Sequence, residues 1–133
     1  MMIDNPVQMV GLYIALNLLL NLVLAYRVSA GRVRTNLMTG TGEDDPLYNA
    51  SRAHVVNVEY TPIGLIGLLG LFILSASVWV IHVVGVALTL GRLLHAIGLS
   101  RSSESTPPRL WGTLITWFGQ LIAGLGCLYY ALA

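Results

Sequence analysis

The chain has 133 residues, a formal net charge of +1, 56% hydrophobic side chains and only 10% charged ones, against roughly 25% charged in ordinary soluble domains. That composition cannot clothe a soluble globule, and uncharged runs longer than a core helix point to membrane spans within a single domain. All seven basic residues are arginine and Cys127 is the single cysteine, so a broad basic face for nucleic acid, an intrachain disulfide framework and a multi-cysteine metal site are excluded.

The chain opens Met1-Met2-Ile3-Asp4-Asn5, without the positive segment that precedes a secretory signal, so the first apolar run is expected to stay in the mature protein. Asn5 to Tyr26 carries no charge, and a first span is expected over residues 5–28, with Asn17 and Asn21 one turn apart as its polar marks. A polar connection follows from Arg27 to Asp45, with Arg27, Arg32, Arg34 and the turn-rich run Thr39 to Asp45. The glycines Gly40 and Gly42 lack the Gly-Lys-Ser/Thr ending of a phosphate loop and are read as a turn.

Asp45-Pro46 looks like a cap followed by a first-turn proline. From Tyr60 to Gly91 there is no formal charge, a run too long for one upright helix and short for two. The second span is therefore placed at 46–75 and the third at 78–99, with the turn in Ser75-Ala76-Ser77. This puts Arg52, His54, Asn57 and Glu59 on the second helix and Arg92 and His95 on the third. Thr106-Pro107-Pro108 is a second cap-plus-proline start, and a fourth span is expected over 108–131. The fold class is an all-α membrane protein, a four-helix up-and-down bundle forming one domain, 1–133. In such a bundle all seven arginines gather at one side, and the tendency of basic residues to stay cytoplasmic places both termini and Ser77 outside the cytosol.

Ionisable residues inside a span are costly and ask for a reason. Arg52 and Glu59 are seven residues apart and project from one face of the second helix, too far apart for a direct pair. Each is expected to meet a group of another helix, with Arg92 and His95 the nearest candidates. Pro62 leaves the Val58 carbonyl without its helical donor, which suits either a pocket or ordinary membrane-helix packing. His82, ten residues before Arg92, falls near the opposite surface and is read as structural or solvated. No histidine pair has ligand spacing on one helix face, so no metal site is assigned from His54, His95 and Glu59. Cys127 is read as a small apolar packer. Gly64, Gly67 and Gly70, and Gly119 with Ala123, allow close helix approach within one bundle or between protomers. A bundle of this size has little interior room, which favours a pocket between protomers. Taken alone, these residues describe a cup of arginines with one carboxylate and flanking histidines, open to an anionic ligand and, sideways, to a lipophile from the bilayer.

Arg52-Ala53-His54 with Glu59-Tyr60 and Pro62, then Gly91-Arg92 and His95-Ala96, and Val33-Arg34-Thr35 at the end of the first helix, resemble the MAPEG family, the membrane-associated proteins in eicosanoid and glutathione metabolism, and its small bacterial branch in particular. The resemblance covers nearly the whole chain. It implies a homotrimer in the bacterial inner membrane, with glutathione as co-substrate, or a similar anionic thiol, bound between subunits near the cytoplasmic side. Carried over by position, Arg34, Arg52, Glu59, Tyr60, Arg92 and His95 would hold glutathione and Arg109 would stabilise its thiolate. The implied activity is a glutathione-dependent transferase or peroxidase acting on lipophilic electrophiles; the alternative is a non-catalytic lipid-binding or scaffolding member. The chain departs from the pattern at Val56, where the family usually has asparagine and Asn57 follows one place late, at Leu99, a tyrosine in the mammalian enzymes, and at Leu110, a serine in some members. A small multidrug transporter, also of four short helices, would resemble its relatives by a carboxylate central in the first helix, and Asn5 to Tyr26 has none.

Overall fold

The computed structural model describes residues 5–102 and 104–133; the reading of Met1 to Asp4 lies outside them. Four helices follow one another, α1 Pro6–Thr35, α2 Asp45–Ile73, α3 Val78–Arg101 and α4 Pro107–Leu132. Each is long and apolar enough to cross a membrane, and the described residues contain no strand.

The helix ends follow local chemistry. The Asn5 side chain accepts from the Val7 N–H ahead of Pro6, satisfying one of the donors that every helix start leaves over. At its other end α1 runs beyond the span expected over 5–28, to the Val33-Arg34-Thr35 that the resemblance puts at the end of the first helix. It continues through Arg27, Arg32 and Arg34 to Thr35 and closes on Asn36, which takes the left-handed conformation at φ 56°. No proline interrupts residues 27–35, and a helix does not end where the hydrocarbon ends. The first three arginines therefore ride on a rigid element and not on a loop. The cap of α2 is Asp44, one residue earlier than the Asp45-Pro46 reading: its Oδ1 accepts from the Leu47 N–H at 2.8 Å. Between α2 and α3 the chain turns at Ser75, φ 57°, with the Ala76 N–H donating to the Leu71 carbonyl, which satisfies a carbonyl orphaned by the helix end.

The contacts fix the topology. Gly31 faces Leu47 and Asn21 bonds Asn57, so α1 and α2 are antiparallel. Gly64 meets Leu88 and Asn57 bonds Arg92 across α2 and α3, while Gly91 and Gly98 meet Thr116 and Arg109 across α3 and α4. The bundle is thus up-and-down, and all seven arginines lie toward the same end. Gly64, Gly67, Gly70 and Gly119 serve packing within the chain, against Leu88, Ala123, Cys127 and Ala87 in turn.

The core is layered. An apolar cluster built on Tyr13, Leu68, Leu71, Ile81 and Val84 fills the Ser77 end. A smaller one of Leu24, Ala53, Ala96 and Leu99 lies toward the arginine end. Buried polar side chains, Asn17, Asn57, Thr61, Arg92, His95 and Thr116, run beside and between them.

Candidate functional site

Among the described residues Arg92 is the largest fully buried side chain, 1% exposed. A guanidinium in that position must have its donors and charge answered by neighbours. Its Nε donates to Asn57 Oδ1 at 3.4 Å, its Nη2 lies 3.4 Å from His95 Nδ1, and the guanidinium stacks over the Tyr60 ring at 5.3 Å from the centroid. The last contact is a cation–π interaction. Helical spacing explains the set: Arg92 and His95 are one turn apart on α3, and Asn57 and Tyr60 one turn apart on α2.

Asn57 ties the cluster to the rest of the bundle. Its Oδ1 accepts from Thr61 Oγ1 at 3.1 Å as well as from Arg92, and its Nδ2 donates to Asn21 Oδ1 at 3.3 Å. Asn57, read from sequence as one place out of the family register, is the residue that joins α1, α2 and α3. The signal available was its spacing to Thr61 and the paired asparagines of the first helix.

Close approach of α3 and α4 frames this end. A Cβ at Gly112 would run into the backbone nitrogen of His95, and one at Gly98 would lie 2.6 Å from the Arg109 nitrogen. Arg109, half-buried in the first turn of α4, donates from Nη1 to the Glu104 carbonyl at 3.4 Å.

Two expected site residues face outward. Arg52 and Glu59 are exposed on one chain, and the partners of Arg92 are Asn57, His95 and Tyr60 in place of a direct bond to either. Glu59 is midway along α2, residue 59 of 45–73, roughly 21 Å from each helix end. Arg34 forms a two-pronged ion pair with Asp44, at 2.6 and 2.9 Å, which clasps the end of α1 to the start of α2. That guanidinium, together with the Leu47 N–H, holds the Asp44 carboxyl below the usual carboxylate range. Arg32 fastens the same turn by donating to the Gly40 carbonyl at 3.0 Å.

The remaining candidates have structural surroundings. His82 Nδ1 lies 2.8 Å from the Tyr13 hydroxyl, with Trp79 beside its ring. Cys127 points its Sγ at the Gly67 carbonyl, 3.6 Å away. Among the described residues no group of histidine, cysteine or acidic side chains could hold a metal ion. Leu99 is buried in the arginine-end cluster, Val56 packs against it, and Leu110 is exposed. Chemically, the arrangement offers fixed positive charge from Arg92 and Arg109, a polarisable ring from Tyr60, and an outward-facing cation and carboxylate on the adjoining α2 face.

The model of the MAPEG family matches residues 10–129, from the second turn of α1 to the last turns of α4. The chain is 31% identical over 120 residues, 90% of either chain, to the inner membrane protein YecN of Escherichia coli K12, and equally similar to YecN of Escherichia coli O6:H1 strain CFT073. No solved structure matches the chain. With the family's model covering all four helices and a relative aligned over nine-tenths of both chains, this protein belongs to the MAPEG family.

Proposed function

We propose that the protein works in the bacterial inner membrane as a homotrimeric, glutathione-dependent transferase or peroxidase for lipophilic electrophiles, with glutathione held between subunits near the cytoplasmic side. The observation that supports this most directly is the outward exposure of Arg52 and Glu59 on α2 beside the buried Arg92 cluster. A charged side chain facing lipid costs roughly 2.5–3.5 kcal/mol at mid-bilayer. A neighbouring copy that covers this face removes the cost and encloses a site with charges of both signs.

Glutathione fits that charge pattern. Its carboxylates suit Arg52 and the cations around it, its amino group suits Glu59, and an arginine beside the thiol lowers the thiol pKa and raises the fraction of nucleophile. Arg109, at the start of α4 where that helix packs against Gly98 of α3, is the residue assigned to the sulfur. In transfer, the thiol proton leaves to water, the sulfur forms a bond to the electrophilic carbon, and the leaving group departs with its electron pair. Arg34 would serve only by releasing Asp44, or from a neighbouring copy.

A second reading, binding without turnover, has its own support. Leu99 is 3% exposed within an apolar cluster and Leu110 follows Arg109, so the tyrosine and serine hydroxyls of other members have no counterpart at these positions.

Arg109→Ala is expected to lower thiolate formation and turnover about ten- to a hundred-fold with a smaller change in glutathione affinity, whereas Arg52→Ala lowers affinity by a comparable factor. Ultraviolet thiolate absorbance and kinetics with an aryl halide separate the two. Wild-type protein that binds glutathione but shows neither thiolate nor turnover would sink the enzyme reading and leave the binding protein.

A further inference from the structure

One stripe of α1 runs unbroken from the hydrocarbon to the water. Leu12, Leu16, Leu19 and Val23, all exposed, recur at three- and four-residue spacing, and Arg27, Ala30 and Arg34 follow at the same spacing. Where the stripe turns polar, a groove of about 300 Å³ opens between α1 and the start of α2. Arg27 and Arg34 line it with the short residues Ala30 and Gly31 between them in the chain and Ala50 on α2. Ala50 is nine residues from Glu59, two and a half turns, and so on the opposite side of α2. The groove therefore lies away from the face that a second copy is proposed to cover.

Its depth is set by the same helix. From Pro6 to Tyr26 α1 carries no charge and rises roughly 30 Å, the thickness of a hydrocarbon layer, so Arg27 stands at that layer's edge. Arg34 lies roughly 10 Å further along. Headgroups occupy about 5–8 Å on each side of the hydrocarbon, which puts lipid phosphates between the two arginines, level with Ala30 and Gly31.

The charges of the groove do not balance. Among the described residues Arg27 has no hydrogen-bond or ion-pair partner. Arg34 gives one N–H from each Nη to Asp44 and stays 54% exposed, keeping its other donors for a ligand. No acid lines the groove, and both carboxylate oxygens of Asp44 are engaged, by Arg34 and by the Leu47 N–H. One positive charge is left without an answer, with accessible donors at both ends.

We propose that this groove holds the phosphodiester of an anionic phospholipid from the leaflet at the arginine end, Arg27 and Arg34 donating to its unesterified oxygens and an acyl chain lying along Leu12, Leu16, Leu19 and Val23. The single negative charge of the phosphodiester matches Arg27. The apolar stripe receives the chain, a contact that a soluble phosphate leaves unused. A zwitterionic lipid is the poorer match, because its ammonium would lie beside the arginines with no acid to receive it.

The inference stands apart from the glutathione reading, which makes no use of Arg27. The test is native mass spectrometry of the full chain, delipidated in detergent and titrated with phosphatidylglycerol or with phosphatidylcholine of the same acyl chains. Phosphatidylglycerol is expected to bind about ten- to a hundred-fold more tightly, and Arg27→Gln to bring it down to the level of phosphatidylcholine. Ala30→Trp, which fills the groove without changing its charge, is expected to do the same at an unchanged unfolding midpoint. Arg101→Gln, which removes an exposed arginine at the same end but outside the groove, is expected to leave the preference intact. Equal binding of the two lipids, a loss in Arg101→Gln as large as in Arg27→Gln, or displacement of the lipid by an equal concentration of soluble glycerophosphoglycerol would each overturn the proposal. Glutathione affinity measured on the same samples is expected to be unchanged by Arg27→Gln. Loss of both ligands together would make the groove part of a glutathione site and overturn the lipid assignment, whereas lipid preference without any glutathione binding would bring down the glutathione reading alone.

Discussion

Asn57 accepts from Arg92 on α3 and from Thr61 one turn along its own helix, and it donates to Asn21 on α1. Removing such a group does not delete one bond; it strands several buried partners at once, the most costly being the Arg92 charge. Asn57→Leu is expected to destabilise the protein by about 1–3 kcal/mol, whereas Asn57→Asp, which keeps an acceptor and adds a counter-charge, loses less. Thermal or denaturant unfolding in detergent checks the order of the two. Spacing put Arg52 and Glu59 on one face of α2 and Arg92 one turn from His95 on α3, and the family resemblance added Tyr60, because periodicity acts along one helix at a time. What spacing could not supply was the partner of each. Glu59 and Arg52 share a face, but that this face is outward depends on where α1 and α3 sit. Asn57 was passed over because a register argument along one helix says nothing about the asparagine facing it from another.

Among the elements, α3 and α4 come closest, and glycine is the reason. At Gly91, Gly98 and Gly112 an added Cβ would meet backbone atoms of the facing helix, and backbone cannot swing aside as a side chain can. Gly112→Ala is expected to push α4 from His95, costing about 1–3 kcal/mol and weakening any ligand contact at Arg109. Gly124, whose Cβ would meet nothing within 4 Å, is the control: Gly124→Ala is expected to leave the unfolding midpoint unchanged or higher. The small residues were visible in the sequence, but their choice between packing inside the bundle and packing between copies was not, since either use needs the same residue type. Helix starts were legible to within a residue because caps and prolines are local signals. The end of α1 was legible only through the resemblance at Val33-Arg34-Thr35, because the change from apolar to charged residues marks where lipid ends and says nothing about where the backbone stops being helical.

At the scale of the whole molecule, the bundle encloses its polar residues from Asn17 to His95 yet leaves Arg52 and Glu59 on the outside, on a helix long and apolar enough to cross a membrane. One copy is thus complete as a bundle with its cationic interior, and under the proposed function the enclosure that would let an anionic thiol bind away from water belongs to the assembly. Composition and charge were enough to read four spans with their arginines at one end, because membrane insertion acts on single helices. Assembly acts on surfaces, which exist only once the helices are packed. Native mass spectrometry of the protein released from detergent, with glutathione titrated in, tests this most directly. A complex of three copies that takes up glutathione, and that loses it together with its assembly, is the expected result; a monomer that binds glutathione, or a stable trimer that does not, would contradict it.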